Sequence, residues 1–159
     1  SSEVTVSDGD KIVYAKSLDL GAVRLTEMCG GSPEKARAAV GEKLPFYGEI
    51  PACRMTAIGG TATSVVAPEK QLSVYDPQKV HGIVLAVDKI MEWADRLLHM
   101  TQEERLALPG MDPRRADVLG SGALLLGMIA GYAGVNEVTV SEADNLEGYI
   151  AVKLREGAI

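Results

Sequence analysis

The run Ala57-Ile58-Gly59-Gly60-Thr61-Ala62-Thr63 carries the residue types best suited to holding an anion. Arg54 to Ile58 reads as a short strand stopped by Gly59-Gly60-Thr61, and Thr61 to Val66 reads as a helix opening directly after it. A strand that turns straight into a helix leaves backbone N–H groups unpaired at the helix start. Glycines let a ligand approach the main chain, and the helix dipole favours negative charge there. Thr61 or Thr63 adds a hydroxyl donor, so the chemistry would be the cradling of a phosphate-like group. The same residues also read as an ordinary strand-to-helix turn capped by Thr61, and the local pattern leaves both readings open. Cys29 and Cys53 lack metal-ligand spacing, and His81 and His99 lie far from both in sequence. Both cysteines are read as reduced, partly buried fillers of a cytosolic protein.

The elements that must position this turn fit one domain, because 159 residues are enough to bury a single sizeable core. A hydrophobic content of 47% argues against disorder. The longest apolar segment, near Ala123 to Ala133, falls short of the roughly 20 residues that span a bilayer. It follows Arg114, Arg115 and Asp117, which suits a buried helix of a soluble protein. A net charge of -6 and the lack of any basic cluster argue against a nucleic-acid binder. A polyanionic ligand would instead be held by backbone amides and a few placed cations, with or without a metal ion. No signal peptide, transit peptide or membrane anchor is visible, so a cytoplasmic protein is expected. The start at Ser1, without Met and directly into a strand-like pattern, reads as a trimmed chain.

Glu3 to Ser7 and Lys11 to Ser17 alternate polar and apolar residues around Ser7-Asp8-Gly9-Asp10, which predicts a hairpin. Gly21 leads into a short helix, and Ser32-Pro33-Glu34 starts another that runs to about Leu44. Tyr75-Asp76-Pro77 is a turn, and His81-Gly82 precedes a run from Ile83 to Val87. Asp88 caps a helix to His99, Thr101 and Glu104 form a capping box, and Asp112-Pro113 starts the longest helix, ending near Tyr132. Val135 to Val140 is a strand, followed by a polar turn and a last helix from Leu146 to Arg155. A hairpin followed by alternating helices and strands predicts an α/β domain with a mixed sheet.

The ordered motifs resemble the Ppx/GppA phosphatase family across nearly the whole chain. They include Ser17-Leu18-Asp19-Leu20-Gly21 through Glu27, Gly59-Gly60-Thr61-Ala62-Thr63, Tyr75-Asp76-Pro77 and Val80-His81-Gly82. Met100-Thr101, Glu103-Glu104-Arg105, Leu108-Pro109-Gly110-Met111-Asp112-Pro113, Arg115-Ala116-Asp117, Gly122-Ala123-Leu124 and Val138-Thr139-Val140-Ser141 continue the series. The resemblance implies a ribonuclease H-like lobe of the actin-like ATPase superfamily. Family members are two-lobed enzymes that release terminal phosphate from inorganic polyphosphate, or the 5′-phosphate of guanosine pentaphosphate, with a divalent metal such as Mg2+. Residues 1–159 would be the second lobe, supplying one wall of the inter-lobe cleft, with the first lobe and its catalytic glutamate absent.

Ser1-Ser2-Glu3 matches the last positions of the family's second phosphate loop, which makes Ser1 and Ser2 phosphate-binding candidates. Glu3 becomes the catalytic and metal-ligand candidate, although it also reads as a solvated residue at a frayed terminus. Gly59, Gly60 and Thr61 match the superfamily's second-lobe glycine motif. Arg115 is a candidate phosphate or guanine-nucleotide ligand, Arg24 shares its even choice between ligand and solvated residue, and His81 reads as turn-stabilising. At Asp144-Asn145-Leu146 the chain departs from the family's Gly-Leu-Arg, which removes an expected cation. The isolated chain is expected to be inactive, to hold no cofactor and to self-associate through apolar surface. The alternative is a regulatory module that binds polyphosphate or a guanine nucleotide without turnover, and a kinase-like lobe is weaker still.

Overall fold

The computed structural model describes residues 1–157. Strands β1 (Ser2–Asp8) and β2 (Lys11–Leu18) form the expected antiparallel hairpin, with a register shift between Val6 and Ser7. Gly9 turns it at φ +58°, a conformation that glycine adopts without the Cβ penalty. Helices α1 (Ala22–Cys29) and α2 (Pro33–Lys43) follow, and the Ser32 hydroxyl caps α2 by accepting the Lys35 N–H. A short 3-10 turn, Leu44–Tyr47, then brings the fully buried Tyr47 under the hairpin. Tyr14 donates to the Tyr47 carbonyl at 2.8 Å, and the Tyr47 hydroxyl donates to the Ser2 carbonyl at 2.9 Å.

Strand β3 (Met55–Ile58) runs into helix α3 (Gly60–Glu69), and the four-residue helix α4 (Pro77–Val80) is capped by the Asp76 carboxylate. Strand β4 (Val84–Ala86) leads into α5 (Val87–His99), then α6 (Gln102–Leu106), α7 (Leu119–Tyr132), β5 (Glu137–Ser141) and α8 (Asn145–Arg155). The second sheet has the order β3-β5-β4, with β3 parallel and β4 antiparallel to the central β5. It is the mixed sheet that the alternating pattern predicts. The capping box of Thr101 and Glu104 is present on α6.

Helix α7 is the spine of the core. Ten of its residues are buried, including Leu119, Leu124 and Ala130, which is why it is apolar on every side. Its glycines allow close neighbours. A Cβ at Gly120 would lie 3.1 Å from the Leu98 backbone nitrogen, and one at Gly127 would collide with Met91 of α5.

Two helix starts differ from expectation. Helix α7 begins at Leu119, not at Asp112-Pro113, because the residues between form successive turns. The Asp112 carboxylate accepts the Arg114 N–H at 3.0 Å, and the Arg105 guanidinium takes the Ala116 and Asp117 carbonyls. Those groups are therefore withheld from a helical ladder. Asp88 does not cap α5; it sits inside the first turn. The Val87 N–H already donates to the Asn136 carbonyl at 2.8 Å, so that donor needs no side-chain cap. Helix α8 has its own capping box, Asp144 with Glu147, yet buries no residue. Its Leu146, Tyr149, Ile150, Val152 and Leu154 are all exposed. Among the described residues no helix is long and apolar enough to cross a membrane.

Candidate functional site

The parallel strands β3 and β5 end side by side, with Ile58 opposite Ser141. In open α/β sheets, ligands gather at the carboxyl ends of parallel strands. Here that edge carries the start of α3, where Gly59 has φ +91° and ψ 169°, a region that is essentially glycine-only. No side chain caps this start, and Gly59, Gly60 and Thr61 lie at its surface or half-buried. Thr61 is thus not the N-cap. The hydroxyl of Thr63 is spent on the Gly59 and Gly60 carbonyls at 3.5 Å.

Arg115 comes to the same place from the turns that precede α7. A Cβ on Gly60 would overlap its guanidinium, with Nε 2.9 Å away. The guanidinium therefore occupies the space where a Gly60 side chain would begin. Arg114 spends its charge on the Asp112 carboxylate at 2.9 Å, whereas Arg115 makes no ion pair among the described residues. An unpaired guanidinium and the positive end of a helix then share one spot. The pair repels cations and offers converging donors to phosphoryl oxygens.

The amino-terminal candidates connect to this spot through a chain of close contacts. Ser1 packs on Gly21 at the uncapped start of α1, where a Cβ would lie 2.6 Å from the Ser1 nitrogen. Next in line is Ala22. A Cβ on Gly122 of α7 would lie 3.1 Å from the Ala22 Cβ and 2.5 Å from the Thr61 Oγ1. Ser1 and the Gly60–Arg115 pair thus reach each other through Ala22, Gly122 and Thr61.

Ser2 and Glu3 are committed elsewhere. The Ser2 hydroxyl sits 3.0 Å from the Tyr47 hydroxyl, and Glu3 accepts the Ser17 hydroxyl at 3.1 Å across the hairpin. The Ser1 side chain holds the Glu3 carboxyl below its ordinary range; burial opposes it, and Ser17 and the terminal ammonium lower it further. Glu3 is therefore ionised at neutral pH, as a metal ligand would have to be. Among the described residues no three His, Cys, Asp or Glu side chains stand together as a metal site. Arg24 pairs with Asp19, whose carbonyl it also reaches at 3.0 Å. The Nδ1 of His81 accepts the Glu142 N–H at 3.2 Å, which ties the α4 corner to the end of β5.

Tyr75 and Glu142 are the residues that sequence patterns undervalue. The Tyr75 hydroxyl donates to the Glu142 carboxylate, closing the loop before α4 onto the sheet edge. Tyr75 carries a sequence signal only as part of the Tyr75-Asp76-Pro77 motif, and Glu142 only as the residue that follows the Val138–Ser141 motif. Burial, then the Glu142 hydrogen bond, pushes the Tyr75 phenol up to about 12. The folded state therefore disfavours phenolate. Stability contributed by this group is intact below the unfolded value of about 10 and is lost as pH rises through 12. Melting curves of Tyr75→Phe and wild type should accordingly run parallel up to pH ~10 and converge above it. Parallel curves throughout would show that partial burial and the Glu142 bond do not hold the half-exposed Tyr75 phenol neutral.

Residues 1–156 match the sequence pattern of the Ppx/GppA phosphatase family. The chain belongs to this family. Among Ppx/GppA relatives, it is 34% identical over 169 residues to exopolyphosphatase 2 of Mycobacterium tuberculosis, covering 97% of this chain and 52% of that protein. It is 32% identical over 162 residues to a bifunctional 3-dehydroquinate synthase/phosphatase of Fusobacterium nucleatum, covering 94% of this chain and 24% of that protein. The crystal structure of the Aquifex aeolicus Ppx/GppA family member superposes with a TM-score of 0.89 at 27% identity, over 98% of this chain and 53% of that one. The fold is therefore the actin-like ATPase fold of Ppx/GppA proteins. The chain spans about half the length of the exopolyphosphatase and of the Aquifex protein, in their C-terminal part.

Proposed function

We propose that this chain is the second lobe of a cytoplasmic exopolyphosphatase-type phosphohydrolase, forming one wall of a cleft that holds the end of an inorganic polyphosphate chain. The observation that carries the reading is the unpaired Arg115 guanidinium lying on Gly60 at the uncapped start of α3. Gly59, Gly60 and Thr61 supply main-chain N–H donors, and Arg115 supplies the charge-assisted pair. The similarity to exopolyphosphatase 2 supports polyphosphate as substrate, with guanosine pentaphosphate as the alternative to it. The free cysteines Cys29 and Cys53 suit a reducing compartment.

Glu3 serves this reading as one carboxylate ligand of a divalent cation, and Ser1 closes the loop around the phosphate; Ser2 would join it only by releasing Tyr47. Mg2+ characteristically takes one or two carboxylates and fills the rest of its octahedron with water and phosphate oxygens, so a lone Glu3 fits. Such an ion would neutralise charge developing on the phosphoryl group. The attacking water must be positioned by the first lobe, so the isolated chain is expected to release no phosphate from polyphosphate with Mg2+. Steady release by the purified chain would overturn the two-lobe requirement.

In the full-length protein, Arg115→Ala should raise the KM for polyphosphate about 10- to 100-fold, the span of a hydrogen bond to a charged group. An unchanged KM and kcat would remove Arg115 from the site. The regulatory alternative rests on Asp144, which here caps α8 where the family places a Gly-Leu-Arg turn. Calorimetric titration of the full-length protein decides it, because tight polyphosphate binding without product favours the module. The exposed apolar residues of α8 would also drive self-association of the isolated chain. A monomeric mass by light scattering at high concentration would refute that.

A further inference from the structure

Arg105 lies on α6, outside the contacts just described, and its two terminal nitrogens donate only to main-chain carbonyls. It donates to Met100 at 2.9 Å, to Ala116 at 3.1 Å and to Asp117 at 3.5 Å. No carboxylate pairs with it among the described residues. Its Nε is buried without a hydrogen-bond partner among the described residues, so the terminal nitrogens carry all of its polar contacts. Ala116 and Asp117 directly follow Arg115 in the chain. The bonds that join this segment to α7 run from Leu119 N to the Arg115 carbonyl and from Gly122 N to the Val118 carbonyl. They pass over the carbonyls of residues 116 and 117, which the Arg105 fork receives instead.

We propose that Arg105 is the positioning residue for Arg115: by holding the carbonyls of Ala116 and Asp117 it keeps the preceding turns from winding onto α7 and so fixes Arg115 over Gly60. The proposal rests on the reading of Arg115 as a phosphate ligand. The planar guanidinium is suited to the task because its two terminal nitrogens reach carbonyls on opposite sides, Met100 at the end of α5 and Ala116 before α7. A lysine presents one ammonium at one point and would hold one side only. Position 105 thus bears on substrate affinity without touching substrate.

The test uses the full-length protein with Arg105→Ala, Arg105→Lys, Arg115→Ala and the Arg105→Ala/Arg115→Ala double variant. Inorganic polyphosphate is the substrate, and limited trypsin digestion reports on the 114–115 segment. Arg105→Ala should raise KM about tenfold with a smaller change in kcat, Arg105→Lys should fall between it and wild type, and the double variant should match Arg115→Ala. Trypsin should cut after Arg115 several-fold faster in Arg105→Ala than in wild type, by loss of local protection. A double variant worse than Arg115→Ala by the full Arg105→Ala factor would overturn the proposal. So would an unchanged trypsin rate. If Arg115→Ala leaves the polyphosphate KM unaltered, the phosphate-ligand reading falls, and the trypsin rate still decides whether Arg105 orders the segment. Arg105→Lys keeps the comparison available should the alanine variant fail to fold.

Discussion

Gly110→Ala should lower the melting temperature by about 10 °C, corresponding to roughly 3 kcal/mol or more. Gly110 has φ +67°, where an L-residue places its Cβ against its own carbonyl at a cost of about 1–2 kcal/mol. The new Cβ would also stand 2.6 Å from the Leu72 carbonyl oxygen and 2.9 Å from the Ala67 Cβ. Neither neighbour is free to move. Ala67 is fully buried, and the Leu72 N–H is bonded to the Ala67 carbonyl at 2.9 Å. Gly9→Ala is the control, since its φ is +58° but the surroundings are open. It should carry only the backbone penalty of about 1–2 kcal/mol. Equal melting temperatures for the two variants in thermal denaturation would refute the packing argument.

Gly60→Ala should raise the polyphosphate KM of the full-length protein to about the Arg115→Ala level, about 10- to 100-fold, although the arginine remains in the chain. The added methyl occupies the place of the guanidinium, so Arg115 must swing off the α3 start. Combining the two changes should add nothing further to KM, because both delete one contact. Stability gives an independent sign. Gly60→Ala alone crowds Arg115, whereas in the Arg115→Ala background the site is open and alanine's helix propensity should stabilise by about 0.5 kcal/mol. Urea unfolding of the four proteins checks this reversal, and a stabilisation of equal size in both backgrounds would show that the guanidinium never lay on Gly60.

The hairpin, the mixed sheet and the Gly59-Gly60 turn were legible because each has a local cause: Asp8-Gly9 between alternating runs, the alternation of strands and helices, and glycines after an apolar strand. The start of α7 was not. Asp112-Pro113 carries a good local signal, and what overrides it is Arg105, a side chain on another helix that takes the carbonyls the longer helix would need. Arg115 was visible only as a candidate, because its contact with Gly60 depends on that displaced helix start. The bond between Tyr75 and Glu142 was equally hidden. It joins residues 67 positions apart, and only the pairing of β3 with β5 brings the Glu142 edge to the Gly59 turn. Ser2 and Glu3 could be named from sequence, and the predicted hairpin sets Ser17 opposite Glu3, whereas Tyr47, which holds Ser2, could not be named.

Gly122 has a consequence for spacing. The starts of α1 and α3, which carry Gly21 and Gly60, both rest on this one residue of α7 through Ala22 and Thr61. With no side chain between them, both starts pack directly against the same stretch of α7 backbone. Their spacing is therefore set by the width of one side-chain-free position on the buried helix α7. A ligand that bridged both ends would meet a fixed span and would lose little entropy in ordering the protein around it.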